Sequence, residues 1–171
     1  MAIEIATING KTFWKLIEQS RAAGKDNQDA QRAQLKTALA AYSPTAVLSF
    51  ITIYRDHIYR ANQWHLWTAS NLINGKADEA TFEAFRDWLV AQGEATYKAA
   101  LKDAESLATS AKPGAATFAS LRTVGREVFI EKMGSKPPFQ VRHKPKRRGV
   151  PFEGKPEDAY PKLAEALKQQ E

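Results

Sequence analysis

Residues 62–93 read NQWHLWTASNLINGKADEATFEAFRDWLVAQG and hold three of the four tryptophans of the chain. The stretch contains two apolar runs with helical spacing, joined by Asn74-Gly75. Because glycine readily adopts a left-handed backbone, this dipeptide predicts the end of one helix. Asp78 follows closely and predicts the N-cap of the next helix. The stretch therefore predicts two consecutive helices that meet across a short turn.

Helical periodicity extends over nearly all of the chain before Gly134. Thr12 predicts the cap of a first helix, and Ser43-Pro44 predicts a helix start because proline suits the first helical position. One continuous helix is predicted over residues 116–133. No segment alternates apolar and polar residues as a half-buried strand does. We therefore predict an all-α fold, an irregular bundle of about six to eight helices.

The positive charge of the chain is concentrated in one segment. Residues 136–152 hold six Lys and Arg and no acid, which equals the net charge of +6 of the whole chain. Five prolines lie between Lys136 and Pro156, which excludes a continuous helix there. We predict a helical domain over residues 1–135, an extended basic arm over 136–156, and a short C-terminal helix over 157–171. This helix is expected to dock on the same domain, with the alternative that it awaits a partner.

The core of this sequence contains a Trp-x-Leu-Trp motif, an Asn-Gly turn and a Phe-x-x-Phe-Arg-x-Trp-Leu motif. In these motifs it resembles a bacterial family of unknown function, DUF4240. The matching residues are Tyr59, Trp64, Leu66, Trp67, Ala69, Asn74, Gly75, Phe82, Phe85, Arg86, Trp88, Leu89 and Gly93. Phe13-Trp14 near the start and Tyr160-Pro161-Lys162-Leu163 near the end are also similar to the family. The resemblance implies a fold but no activity.

Three positions depart from that family pattern. His65 stands where the family has an acidic residue between the tryptophans, Lys76 replaces its second glycine, and Ala77 replaces its cysteine. The acidic pair of the family is shifted to Asp78 and Glu79. These departures count against cysteine-dependent chemistry and are compatible with a binding role.

Four polar residues of the opening stretch are candidates for a functional site. Asp78 and Glu79 could act in acid–base chemistry, but capping and first-turn placement already explain both. His65 lies on an apolar run without a nucleophile or an orienting acid near it in sequence. Arg86, between Phe85 and Trp88, could pair with a nearby carboxylate or present its guanidinium at a groove. The aromatic cluster around them is interpreted as core in preference to a ligand pocket.

The basic arm supplies the second set of candidates. An extended basic run suits phosphate backbones, an acidic protein surface, or simply a solvated linker. No nucleic-acid-binding motif accompanies it. The candidate binding residues of the arm are Arg142, Lys144, Lys146, Arg147 and Arg148.

Composition limits the chemistry that the chain can perform. It contains no cysteine, so disulfides, thiolate metal sites and cysteine nucleophiles are excluded. We find no catalytic set, expect no metal or cofactor, and expect a cytoplasmic protein without a membrane segment. The leading hypothesis is a non-enzymatic protein–protein interaction module of accessory or immunity-like type. Nucleic-acid binding through residues 136–152 is the second hypothesis, and an enzyme with a pocket near Arg86, Asp78 and His65 is the third.

Overall fold

A computed structural model describes residues 7–138 and 146–170. The described residues form helices and no β-strand, which confirms the all-α prediction. The helices are α1 (Gly10–Gly24), α2 (Gln28–Leu39), α3 (Pro44–Arg60), α4 (Trp64–Asn74), α5 (Glu79–Ala91), α6 (Glu94–Lys102), α7 (Val124–Met133), α8 (Pro156–Ala159) and α9 (Pro161–Lys168). Two 3₁₀ helices, Ala104–Thr109 and Ala119–Thr123, lie between α6 and α7.

The chain forms two compact units, each assembled from two separate segments. The first unit contains the described parts of Met1–His57 and Ser120–Lys144, and the second those of Ile58–Ala119 and Pro145–Glu171. Helix α3 therefore begins in the first unit and ends in the second.

The first unit is built from α1, α2, most of α3, and α7. Gly24 at the end of α1 allows a close approach to α2, since a Cβ there would lie 2.7 Å from the backbone nitrogen of Gln31. Three ion pairs join α2 to α7. Arg32 pairs with Glu127 at 2.5 Å, and Lys36 pairs with Glu131 at 2.8 Å and with Glu127 at 3.6 Å. The buried side chains of this unit include Phe13, Ile17, Leu35, Leu39, Phe50 and Val128.

The second unit contains α4, α5, α6, α8, α9 and the 3₁₀ helix Ala104–Thr109. Gly75 ends α4 with φ 68°, and Asp78 caps α5 by accepting a hydrogen bond from the Thr81 amide. Both boundaries confirm the sequence prediction. Helix α9 packs on Ala104–Thr109, where the Glu105 carboxylate accepts from the backbone nitrogens of Lys162 and Leu163.

Three local predictions are wrong. In each case a group that was not considered either takes the backbone hydrogen bonds or restricts the backbone conformation. Asn9 caps α1 in place of Thr12, since its side chain accepts from the Thr12 amide. The predicted helix over 116–133 becomes irregular backbone, a 3₁₀ helix and α7. Its first residues bond elsewhere: the Ala116 N–H and C=O pair with the Asn74 amide, and the Phe118 N–H donates to Ala84.

The third correction concerns the C-terminal helix, which the sequence predicted as one element. It is divided into α8 and α9 at Tyr160, whose backbone leaves the helical region at φ −132° and ψ 71°. A residue before proline is disfavoured in the helical conformation, and Pro161 follows. Proline at the first position then suits the start of α9.

Candidate functional site

The guanidinium of Arg147 lies in a cage of three aromatic rings in the second unit. Its central carbon is 4.3 Å from the ring centroid of Trp67, 4.6 Å from that of Trp64 and 4.9 Å from that of Phe82. Trp64 and Trp67 are three residues apart at the start of α4, so both project from one face. Because aromatic faces are negative, the three rings attract the cation together.

Two polar groups complete this arginine cage, which consists of Asn62, Trp64, Trp67, Glu79 and Phe82. The Arg147 Nε donates to the Asn62 side-chain oxygen at 3.1 Å, and an Nη donates to the Glu79 carboxylate at 2.5 Å. The Arg147 side chain is only 11% exposed, whereas the Glu79 side chain is 63% exposed. The cage is thus closed around the cation and open to solvent at its acidic end.

Backbone pairing holds the segment that carries Arg147, which we call the strap (residues 146–155). The Arg148 N–H donates to the Asn62 carbonyl at 3.0 Å, and the Trp64 N–H donates to the Arg148 carbonyl at 2.9 Å. These bonds form an isolated parallel bridge between Gln63 and Arg148. Residues 149–155 are all exposed, so the attachment of the strap is concentrated at its first residues.

A cavity of about 100 Å³ lies between the strap and α4. Its walls include Trp64, Trp67, Thr68 and Asn71 from α4, and Pro151 and Phe152 from the strap. With its amide oriented to satisfy both polar atoms, Asn71 accepts from the Trp67 indole N–H at 2.9 Å and donates to the Lys76 carbonyl at 3.1 Å. The Thr68 hydroxyl donates to the Trp64 carbonyl. The side chains of Trp67, Thr68 and Asn71 therefore find hydrogen-bond partners within α4 and the turn after it.

A model of the family described as "Protein of unknown function (DUF4240)" matches residues 8–131. The chain belongs to this family. The resemblance inferred from the motifs of residues 59–93 is thereby confirmed. No curated protein and no solved structure gives a significant match. The DUF4240 match includes the five cage residues and ends before the strap, so Arg147 lies outside the matched region.

Asp78 and Glu79, the acidic pair of this DUF4240 chain, have different partners. Asp78 accepts from the Thr81 backbone N–H at 2.7 Å, and the bonds from the Thr81 amide and hydroxyl hold the pKa of Asp78 below its usual value. Glu79 instead pairs with Arg147. The prediction of an N-cap followed by a first-turn acid is confirmed for both residues, and Glu79 also belongs to the cage.

Arg86 contacts one of the three cage rings, that of Phe82, and is only 8% exposed. An Nη donates to the Ile58 carbonyl at 3.2 Å, and the guanidinium lies 4.9 Å from the Phe82 ring centroid. Burial lowers the pKa of Arg86, and the carboxylates of Glu83 and Asp87 oppose that shift. Phe82 therefore contacts two guanidinium groups, one from α5 itself and one from the strap.

His65 is half-buried in the first turn of α4. One ring nitrogen is 2.8 Å from the Gln63 side-chain oxygen, and the His65 carbonyl accepts from the Tyr160 hydroxyl at 2.9 Å. Burial lowers the pKa of His65, and the Asp103 carboxylate opposes the shift. Burial, with the nearby Asp103 and Glu105, raises the pKa of Tyr160 to about 12. Within the described residues no contact joins His65, Asp78 and Arg86 to one another.

The remaining candidates of this DUF4240 chain lie on the basic arm. Arg142 and Lys144 fall outside the described residues. Lys146 and Arg148 are exposed, on either side of the enclosed Arg147. The structure thus brings together Glu79 and Arg147 and separates Arg147 from its basic neighbours.

Sequence reasoning identified Trp64, Trp67 and Phe82 as core and missed that they enclose a cation. The helical spacing of the two tryptophans was the available signal, but nothing in the local sequence relates them to a residue at least eighty positions away. Asn62 was missed entirely, because its contribution depends on the strap. In the part of the chain that the structure describes, no group of three or more metal-ligating side chains forms, and no helix is long and apolar enough to cross a bilayer.

Proposed function

We propose that this protein is a non-enzymatic protein-binding module, an accessory or immunity-like protein of the bacterial cytoplasm. The observation that carries the proposal is the exposure of two large apolar side chains on the strap, Val150 at 85% and Phe152 at 46%. Exposed apolar groups beside a cavity are typical of protein-binding surfaces.

The anchoring of the strap supports this proposal. Arg147 fixes the chain three residues before Val150, and the bridge at Arg148 sets its direction. A segment held in position before binding loses less conformational entropy when it binds. Arg148 is exposed beside the apolar pair, so the partner surface should combine an apolar groove with acidic residues at its edge.

The test is capture of a partner by the immobilised full chain, followed by an affinity measurement with the purified partner. V150S/F152S removes the proposed apolar surface, and M133S is the matched control because Met133 is also a large exposed apolar residue, 53% exposed, on α7 of the first unit. We expect the wild type and M133S to bind one partner equally and V150S/F152S to bind it at least about tenfold more weakly. Equal binding by all three proteins, or no stoichiometric partner, would contradict the proposal.

The exposure of Lys146 and Arg148 favours nucleic-acid binding as a second candidate. In that case K146Q/R148Q should weaken a complex seen in a low-salt mobility-shift assay. For duplex DNA the slope of log affinity against log salt should fall by about 0.9 for each phosphate that the variant no longer neutralises. K155Q, which removes an exposed lysine outside the basic run, is the control. Failure to form a complex at low salt excludes this candidate.

A further inference from the structure

Arg147 occupies the arginine cage as a ligand occupies a receptor. The guanidinium is enclosed by three rings, an amide oxygen and a carboxylate, all from residues 62–82. We propose that the cage is a binding site for an arginine side chain on an extended peptide of another protein, and that Arg147 fills it in cis until that peptide displaces the strap. This goes beyond the proposed function, because the incoming arginine takes the place of Arg147 in the cage and does not bind the exposed face of the strap.

The arrangement of donors and rings selects a guanidinium. One Arg147 nitrogen reaches Asn62 while another reaches Glu79, and the planar group remains within 5 Å of the ring centroids of Trp64 and Trp67. A guanidinium has five N–H donors in a fixed plane, whereas an ammonium group is a compact point charge. A lysine could approach the rings or the carboxylate, but it could not reproduce all of these interactions at once.

The backbone hydrogen bonds favour an extended peptide over a free small molecule. The residue after the caged arginine donates its N–H to the Asn62 carbonyl and accepts from the Trp64 N–H. These two groups lie at or before the start of α4. Once the strap has left, they can form the same hydrogen bonds with another extended chain that follows the same path. Addition of an extended segment through such main-chain bonds is a common mode of peptide recognition.

Three features favour exchange of the cis arginine. Its attachment is concentrated at residues 147 and 148, while residues 149–155 are all exposed. Glu79 is mostly exposed, so an incoming guanidinium can reach the carboxylate before Arg147 has left. The cavity beneath Pro151 and Phe152 leaves part of the strap without close packing against α4.

The experiment uses the full chain with R147A, which empties the cage, and a fluorescent peptide, KRRGSPSE. The peptide reproduces residues 146–153 with serine in place of Val150 and Phe152, so the apolar surface of the proposed function does not contribute. Fluorescence anisotropy should show saturable binding to R147A. The wild type should reach the same saturation but bind at least about tenfold more weakly, because the strap occupies its site.

Two matched changes test the chemistry of the site. A peptide with citrulline at the position of Arg147 keeps the shape and loses the charge, and it should bind at least about tenfold more weakly. In the protein, R147A/E79Q should lose affinity to a similar extent. R147A/E94Q removes a first-turn acid of α6 instead and should bind as R147A does. If R147A does not fold, R147K replaces it, since a lysine fills the cage incompletely.

Several results would overturn the proposal. One is that a folded cage variant shows no saturable binding, and another is that the arginine and citrulline peptides bind equally. A third is that the wild type stays unbound at about a hundredfold the concentration that saturates R147A. A wild-type dimer that R147A abolishes would assign the arginine to a second copy of this chain, contrary to the proposal. Because none of these measurements depends on Val150 or Phe152, they can fail while the proposed function holds, and the reverse.

Discussion

Arg147 is the residue on which the docking of the strap depends. R147A should lower the free energy of unfolding by about 2 kcal/mol, because it removes the enclosed cation–π interactions and the charged hydrogen bonds together. R147K should cost about 1 kcal/mol, since lysine keeps the charge without the planar donors. Urea unfolding followed by tryptophan fluorescence measures both. R148A is the control and should stay within about 0.5 kcal/mol of the wild type. Equal losses at the two positions would show that the strap is held by its backbone hydrogen bonds alone.

His65 should make the stability of the protein depend on pH. Burial lowers its pKa in the folded state below the ordinary value of 6.5, so the unfolded chain binds the proton more readily. The contribution of neutral His65 is therefore fully present above pH 6.5 and is lost as the pH falls from there. H65Q cannot titrate, so the unfolding free energy of the wild type should decrease more steeply than that of H65Q between about pH 7 and pH 5. Parallel pH profiles would contradict this prediction.

At the scale of elements, Asn74 joins the end of α4 to the backbone at Ala116. Its amide donates to the Ala116 carbonyl at 3.1 Å and accepts from the Ala116 N–H at 3.0 Å. N74A should lower the free energy of unfolding by about 2–3 kcal/mol. The reason is that the N–H and C=O groups of Ala116, which is fully buried, both lose their hydrogen-bond partner. Chemical denaturation measures the loss.

A second amide provides the control for Asn74. Gln92 donates to the Trp88 carbonyl within its own helix end, so Q92A removes a bond without separating two elements. Its cost should stay below about 1 kcal/mol. If the two substitutions lowered the free energy of unfolding equally, the hydrogen bonds between Asn74 and Ala116 would contribute no more than a bond within one helix.

The elements also show what the sequence could and could not predict. Ser43-Pro44, Asp78 and Gly134 act on their own neighbours, and each marks a helix boundary in the structure as expected. Residues 116–118 have helical periodicity, yet their backbone groups form hydrogen bonds with residues of α4 and α5. Periodicity reports which face is buried, and it does not report which partner takes the backbone bonds. The predictions therefore failed where partners far apart in the chain compete with local helix formation.

At the scale of the whole molecule, the least predictable feature was which segments of the chain pack together into one unit. Each unit joins segments that lie far apart in sequence, because the second unit contains both Ile58–Ala119 and the described part of Pro145–Glu171. No local signal in the basic run distinguishes Arg147 from Arg148, although one is enclosed and the other exposed. The helices of the candidate site could be predicted, but not which of the candidate basic residues completes it.

The completion of the second unit by its last segment leads to a final prediction. Leu163 on α9 is fully buried, the Glu105 carboxylate caps the helix start, and the Tyr160 hydroxyl binds the His65 carbonyl. L163A should lower the free energy of unfolding by about 2 kcal/mol, the lower end for a buried leucine, because a terminal helix can detach and so limit the loss. K162A, which changes an exposed side chain of the same helix, should stay within about 0.5 kcal/mol. A chain ending at Tyr160 sets the upper limit, since detachment can cost no more than removal of α9. If L163A were more destabilising than that truncation, α9 could not be docking as an independent terminal element.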